Sequence, residues 1–342
     1  MDYDQLIERF GGVVSTRQLL ESGETTPDIR RAVETGAIQR IRHGWFRVPD
    51  ADPDVVAAVA DHAIVSCASA LLRHGLWIPD HPVESHARVT RYERRRSPDR
   101  CRCHGRPTPA LAAVDDVATA LQYAARCFDE EGFVILCDSA LHHGKLTHDD
   151  LRSEFRLAPL AIKNAIGRCN RLAASGTETA ARLRLRSAGL RVEVQHHVPG
   201  VGWIDLLVGE RLAIELDSRA HHTGEEDYES DRVRSRKLIP LGYLPMRLTY
   251  AQVFSHWEAT YADIAAGVRK GYHRNRAAAG NRPRNRPLIS TLHSPPDDTM
   301  SPPAPPPRVL SRGAFRCGPP GMTRKPSAEQ LLLHLAHGVA RE

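Results

Sequence analysis

Apolar and polar residues change their period several times along this chain, and each change predicts a change of secondary structure. After Ser175, apolar residues recur every three or four positions as far as Gly189, which is the spacing of one helix face. Short apolar or alternating runs separated by glycines follow, which is typical of strands and tight turns. The pattern predicts, in order, a helix over 175–189, strands over 192–198, 203–208 and 212–217, a polar helix over about 226–241, and a strand over 243–249.

The first 50 residues have a different pattern, which predicts three short helices followed by a hairpin. Ser15 with Gln18 is typical of a capping box, and Thr26 before Pro27 is typical of the start of the third helix. Two short strands, over 38–42 and 45–48, would flank a His-Gly turn. A helix–turn–helix followed by a hairpin is the winged-helix pattern, in which outward arginines contact DNA. The arginines placed outward by this prediction are Arg30, Arg31, Arg40, Arg42 and Arg47.

The pattern of apolar residues over 51–160 predicts an α-rich region, with helices near 66–74, 111–127 and 147–155 and a strand over 133–137. The fold class predicted for the whole chain is therefore α+β and multidomain. Its parts are a winged helix over 1–50, an α-rich region over 51–160, an α/β/α domain over 165–270 and a tail over 271–342.

The tail has a composition of its own. Residues 271–342 hold 12 of the 24 prolines and carry 11 Lys and Arg against 4 Asp and Glu, so we expect this segment to be disordered. Residues 1–270 carry 36 basic and 37 acidic groups. The basic balance of the chain therefore belongs to the tail and does not indicate that the folded part binds nucleic acid.

The remaining composition predicts a cytoplasmic protein without a membrane span. No apolar run approaches the roughly 20 residues of a membrane helix, and the acidic N-terminus is unlike a leader sequence. Seven scattered cysteines do not indicate a disulfide framework. The run from Cys101 to His104, Cys-Arg-Cys-His, lacks a second pair of ligands and is a weak zinc motif.

Three acids on the predicted strands indicate metal chemistry. Glu215 and Asp217 are two positions apart on one strand and so share a face, and a short hairpin brings Asp205 beside them. Clustered carboxylates repel one another unless a cation neutralises them, and oxygen ligands suit Mg²⁺ or Mn²⁺. In the simpler interpretation Asp217 ends a strand. Glu178, after Ser175, is in the same way either a capping acid or part of a site.

Several spaced runs in this region resemble the relatives of the very-short-patch repair endonuclease, within the PD-(D/E)XK nuclease superfamily. The resemblance implies a restriction-endonuclease-like fold, with metal roles for Asp205 and Glu215 and active-site roles for Asp217, His221 and Glu178. Two positions depart from the superfamily pattern, because Asp217 replaces its usual Lys and Ser218 its usual Gly. The runs are 203–207 (WIDLL), 213–221 (AIELDSRAH), 231–234 (DRVR, whose Asp231 and Arg234 match a helical D-x-x-R element), 241–243 (LGY) and 247–249 (RLT).

The first 50 residues, with Gly44-Trp45-Phe46-Arg47 in the predicted wing, resemble the winged helix of abortive-infection type IV antitoxins. This resemblance implies DNA binding, operon repression and a cognate toxin or defence-system protein as partner. Our leading hypothesis is a DNA-binding protein with a Mg²⁺-dependent endonuclease domain. The alternatives are a non-enzymatic transcriptional regulator whose nuclease-like domain is degenerate, and a partner-binding module of a defence system.

Overall fold

The computed structural model describes residues 11–79, 86–89, 100–217 and 233–274, and within them the fold is mixed α/β. The first predicted helix, most of the tail, and the residues Ser218, His221 and Asp231 lie outside the described residues. No helix of the described residues is long and apolar enough to cross a membrane.

A small three-stranded sheet with two helices forms the N-terminal part. Its elements are β1 (Val13–Ser15), α1 (Thr16–Glu21), α2 (Thr26–Glu34), β2 (Gln39–Arg42) and β3 (Trp45–Arg47). The strand order is β1-β3-β2, and both pairs are antiparallel.

The predicted hairpin and the capping box at Ser15 are confirmed. The cap of α2 is Thr25 and not Thr26 as predicted, because the side chain of Asp28 reaches back to the backbone of Thr25. Strand β1 was not predicted, since two valines and a serine are too short a run to show a period.

The core of the N-terminal part continues into the next helix. Ile29, Ile38 and Phe46 pack together in one apolar cluster. Trp45 and Val13, however, belong to the cluster that contains α3, the next helix along the chain. The N-terminal sheet and the middle region therefore share apolar contacts.

The middle region is predominantly helical. Its elements are α3 (Pro53–Ala60), β4 (Ala63–Val65), α4 (Cys67–Arg73), β5 (Ala87–Val89), α5 (Val117–Cys127), α6 (Glu130–His142), α7 (His148–Glu154) and α8 (Leu160–Gly167). Strands β4 and β5 pair antiparallel.

Two predictions for the middle region were wrong in part. The apolar run 133–137, predicted as a strand, lies inside α6, because Asp129 caps a helix that is buried along most of its length. A continuous apolar run does not distinguish a buried strand from a buried helix. Helix α5 begins at Val117 and not near residue 111, because Asp116 caps it by accepting a hydrogen bond from Thr119 N.

A four-stranded sheet organises the C-terminal part. Its elements are α9 (Gly176–Ser187), β6 (Val192–Val198), β7 (Gly202–Val208), β8 (Leu212–Asp217), α10 (233–238), β9 (Leu244–Thr249), α11 (Tyr250–Phe254) and α12 (Trp257–Arg269). The strand order is β6-β7-β8-β9, with β9 parallel to β8 and the other pairs antiparallel. The four predicted strands and α9 are confirmed, whereas α11 and α12 were not predicted.

Helices contact both faces of this sheet. Leu206 and Ile214 pack with Leu185 of α9 and Ile264 of α12. On the other face Ala213 packs with Leu238 of α10. Because side chains alternate along a strand, Glu215 and Asp217 share the face of Ala213.

The last described residues return to the turn between β7 and β8. Glu210 N donates to His273 O at 2.7 Å. Gly209 has a φ of +67°, and a Cβ at this position would lie 2.4 Å from His273 O, so a glycine is required there. The segment 271–274, which the sequence places in the tail, therefore contacts the turn between β7 and β8.

Candidate functional site

Three of the predicted acids lie on adjacent elements of the C-terminal part. Glu178 is on α9, Asp205 on β7 and Glu215 on β8. The register of Leu206 with Ile214 places Asp205 opposite Glu215, as the hairpin predicted. Asp205 Oδ2 accepts a hydrogen bond from Leu216 N at 2.8 Å, so this carboxylate takes up a backbone donor of β8 just beyond the described pairing of β7 and β8.

Gln195 on β6 joins two of these acids. Its Nε2 lies 3.0 Å from Glu178 Oε2 and 3.3 Å from Asp205 Oδ1. Gln195 is one of three non-glycine residues with positive φ in the described chain, at 51°. Such a conformation is disfavoured and is often found at functional sites. Sequence reasoning missed Gln195, because a glutamine in an alternating strand gives no signal of this conformation.

Glu178 combines a capping role with a place in the cluster. Its backbone N donates to Ser175 Oγ at 3.2 Å, while its carboxylate accepts from Ser175 Oγ at 3.0 Å and Ala174 N at 2.9 Å. Burial, reinforced by the charge of Asp205, raises the pKa of Glu178 to about 7 against these hydrogen bonds. The site and capping interpretations of Glu178 are therefore compatible.

Arg234 on α10 neutralises Glu215. Its Nη2 lies 3.0 and 3.2 Å from the two carboxylate oxygens and also donates to Trp203 O. Burial and the charge of Asp205 raise the pKa of Glu215, and Arg234 opposes this. The pKa of Asp205 is also raised, chiefly by burial. Arg234 therefore supplies positive charge to a cluster of buried acids.

Asp217 stands at the more open end of β8. Its side chain is 24% exposed, and Arg247 Nε on β9 lies 3.7 Å from its Oδ1. The parallel register places Arg247 opposite Glu215. Asp217 thus shares a strand face with Glu215 but lies beside Arg247, whereas Glu215 pairs with Arg234.

The donor set has the chemistry that suits a hard divalent cation, but the oxygens of Asp205, Glu215 and Asp217 do not all lie within 4.8 Å of one another, so the side chains would have to move to bind one ion. Asp205, Glu215 and Asp217 offer carboxylate oxygens from two adjacent strands, and burial raises the pKa of the first two. A cation at Glu215 would share that carboxylate with Arg234 or displace it. His221, to which the resemblance gives an active-site role, and Asp231 of the D-x-x-R element lie outside the described residues.

The five predicted DNA-contacting arginines differ in their surroundings. Arg30 and Arg31 on α2 and Arg40 on β2 are exposed, and the Arg40 guanidinium lies 5.4 Å from the Phe46 ring centroid. The other two are half-buried and held by protein groups. Arg42 Nε donates to Val59 O at 2.7 Å, with its guanidinium 5.4 Å from Trp45, and Arg47 donates to Gln39 Oε1 at 3.1 and 2.8 Å.

Comparison with known proteins bears on this N-terminal part. Residues 1–49 match a family model described as a transcriptional regulator, the AbiEi antitoxin. The predicted resemblance of the first 50 residues to type IV antitoxins is therefore confirmed. No curated protein matches the chain. The resemblance of the C-terminal part to the repair endonuclease stays a prediction.

Proposed function

We propose that this chain is a DNA-binding transcriptional regulator of the antitoxin type, and that residues 1–49 contact duplex DNA. The match of this segment to the AbiEi antitoxin regulators carries the proposal. The order β1-α1-α2-β2-β3 with the sheet order β1-β3-β2 supports it, because two helices followed by a hairpin are expected of a winged helix. A cognate toxin or a defence-system protein would be the second partner.

Recognition would combine α2 in the major groove with phosphate contacts from the hairpin. Arg30 and Arg31 are the exposed arginines of α2, and Arg40 is the exposed arginine of β2. Stacking of Arg40 on Phe46 restrains its long side chain and lowers the entropy lost when it meets a phosphate. Arg42 and Arg47 are half-buried and bind protein groups, whereas Arg31 has only an exposed ion pair with Asp28 at 3.5 Å. We therefore place the first contacts at Arg30, Arg31 and Arg40.

The test measures the affinity of the full chain for duplex DNA by fluorescence anisotropy over a range of salt concentrations. One duplex has the DNA sequence upstream of the gene that encodes this chain, and the other has a scrambled sequence of the same composition. Arg30→Ala/Arg40→Ala should weaken binding about tenfold or more and reduce the salt slope by about two. The matched control is Arg152→Ala/Arg156→Ala, which removes two exposed arginines of the middle region. Equal losses in both variants would overturn the proposed surface.

A second candidate function is metal-dependent hydrolysis of phosphodiester bonds by the acid cluster. The observation that favours it is the linkage of Glu178 to Asp205 through Gln195, beside Glu215. When bound, Mg²⁺ would supply Lewis-acid stabilisation and an activated water. Asp205, Glu215 and Asp217 would hold the ion.

The protein groups would supply the remaining chemistry. With a pKa of about 7, Glu178 can hold or release a proton near neutral pH. Arg234 would compensate the charge of Glu215. Cleavage of plasmid, single-stranded and mismatched DNA with Mg²⁺ or Mn²⁺ tests the activity, with Glu215→Gln as the control. If all three substrates stay intact, the regulator is non-enzymatic and its nuclease-like part is degenerate.

A further inference from the structure

Three thiols and an imidazole converge in the core of the middle region. They belong to Cys67, His86, Cys101 and Cys127, and one ligand atom from each lies within 4.8 Å of all the others. Among the residues that the structure describes, no other group of three or more His, Cys, Asp or Glu side chains brings its ligand atoms this close together. None of these cysteines is in a disulfide. The cluster is separate from the acids of the C-terminal sheet.

The four residues come from different segments that the backbone ties together. Cys67 is the first residue of α4, His86 precedes β5, and Cys127 is the last residue of α5. Hydrogen bonds at 2.9 Å link the segments, from Ser66 N to His86 O and from Cys101 N to Ala87 O. The convergence is therefore a product of the fold and not of one flexible loop.

Local geometry directs the side chains toward one point. Cys67 has a φ of +51°, a conformation that non-glycine residues rarely adopt. His86 N donates to Ser69 Oγ at 2.8 Å, and its ring stacks on Phe128 with centroids 6.4 Å apart. In this position His86 Nδ1 lies 3.3 Å from Cys101 Sγ. The backbone and the ring packing thus hold both ligands in place.

The spacing suits one tetrahedral ion. Zinc binds sulfur at about 2.3 Å and histidine nitrogen at about 2.0–2.1 Å, which puts tetrahedral ligand atoms about 3.5–3.8 Å apart. The observed 3.3 Å between Cys101 Sγ and His86 Nδ1 is close to this separation, and the upper bound of 4.8 Å exceeds it by about an ångström. Small side-chain rotations would therefore complete the site without moving the backbone.

We propose that Cys67, His86, Cys101 and Cys127 bind one Zn²⁺ as a closed structural site. Three sulfurs and one nitrogen are a donor set that zinc prefers, and four protein ligands leave no position for a reacting water. Binding releases the thiol protons to solvent and leaves three thiolates and a neutral imidazole on the ion. The ion would join α4, the β4–β5 sheet and α5.

The local Cys-Arg-Cys-His motif is divided by this arrangement. Cys101 belongs to the cluster, whereas Cys103 and His104 do not. Cys103 is nevertheless 2% exposed and lies in the same apolar core. It is therefore a matched control for the loss of a buried thiol that is not a ligand.

The first test measures metal in the full chain purified without added metal. We expect one zinc per chain by mass spectrometry, released in step with modification of the thiols by an organomercurial. After chelation, Co²⁺ should give the intense visible bands of a tetrahedral thiolate site, and Zn²⁺ should abolish them. Absence of zinc together with absence of these bands would overturn the proposal. So would a disulfide among the three cysteines in protein kept under reductant.

The second test compares variants of the full chain. Cys101→Ser and Cys127→Ser should lose most of the zinc and the Co²⁺ bands, whereas Cys103→Ser should keep one zinc per chain. Chelation should lower the melting temperature of the parent and of Cys103→Ser, and added Zn²⁺ should restore it. Full zinc content in Cys101→Ser overturns the proposal. If the ligand variants do not fold, the metal content and Co²⁺ spectrum of the parent and Cys103→Ser decide the question.

Discussion

The Asp138 carboxylate and the Arg182 guanidinium lie 2.6 Å apart with both side chains fully buried, and they join α6 to α9. Asp138 also accepts hydrogen bonds from Asn170 N at 2.7 Å and Thr179 Oγ1 at 2.8 Å. Arg182 donates to Arg168 O as well. Because α9 also carries Glu178, this ion pair fixes the helix that positions the acid cluster against the middle region.

Breaking this ion pair should be strongly destabilising. Asp138→Ala would leave Arg182 buried without its counter-charge, at a cost of about 3–5 kcal/mol. Urea unfolding at neutral pH measures the change. The control is Asp149→Ala, whose partner Arg152 is an exposed i,i+3 neighbour and whose loss should cost at most about 0.5–1 kcal/mol. Equal effects in the two variants would contradict the assigned role of the buried pair.

The raised pKa of Glu178 predicts a pH-dependent stability. The folded state shifts this carboxyl from its ordinary 4.5 to about 7, so folding favours the protonated form. The contribution of Glu178 to the stability of the fold is therefore fully present below about pH 4.5 and is lost as the pH rises through 7. As the pH rises from about 4.5 to above 7, the free energy of unfolding of the parent should fall by roughly 3 kcal/mol relative to that of Glu178→Gln.

Unfolding of the parent and of Glu178→Gln by urea, measured with a chelator present, gives this difference at each pH. A difference that stays constant from pH 4.5 to 8 would show that Glu178 keeps its ordinary pKa. Mg²⁺ should reduce the loss above pH 7 if a cation binds beside Glu178, because the ion would compensate the carboxylate.

Arg40 and Arg42 should separate binding from stability. Arg42→Ala removes the hydrogen bond to Val59 O and the stacking on Trp45, so we expect it to lower stability by about 1–3 kcal/mol. Arg40→Ala should change stability by less than about 0.5 kcal/mol because Arg40 is exposed, yet it should weaken DNA binding. Thermal melting and anisotropy on the same samples report the two quantities. The reverse pattern would exchange the roles of the two arginines.

Arg234 should compete with a cation for Glu215. In chelator, Arg234→Gln should lower the melting temperature, because it leaves Glu215 beside Asp205 without the arginine charge. Mn²⁺ should then raise the melting temperature of this variant more than that of the parent. Glu215→Gln combined with Arg234→Gln is the control and should show little Mn²⁺ response. An equal Mn²⁺ response in all three proteins would place the ion elsewhere.

Two truncated chains should show whether the contact of His273 with Glu210 stabilises the fold. A chain that stops after Arg274 should melt within about one or two degrees of the parent, because residues 275–342 have the composition of a disordered tail. A chain that stops after Tyr272 loses the hydrogen bond from Glu210 N to His273 O and should melt lower. If the two truncated chains have the same melting temperature, this contact does not stabilise the protein.

The sequence was sufficient for elements whose pattern is local. The spacing of apolar residues predicted α9 and the strands of the C-terminal sheet, and the hairpin register placed Asp205 opposite Glu215. The tertiary contacts of these acids were not predictable in the same way. The donation from Gln195 to Glu178 and Asp205 depends on a left-handed backbone at Gln195, which alternation alone does not reveal.

The elements that escaped prediction are those decided by long-range packing. The run 133–137 reads equally as strand or helix, and burial of α6 among other helices decides the outcome. The thiol cluster spans Cys67 to Cys127 with no spaced pairs, so only folding brings its members together. Motif spacing detects metal sites built on one hairpin or loop, and this one is built from four segments.

The contact between Arg42 and Val59 has a consequence for how the N-terminal part could be exchanged between proteins. The family match ends at residue 49, but Trp45 packs in the same apolar cluster as Val59, on α3. A chimera joined at residue 49 would present Trp45 to a foreign surface, whereas a junction after Ala60 would carry α3 along with it. The unit that could be transplanted is therefore longer than the unit that sequence comparison recognises.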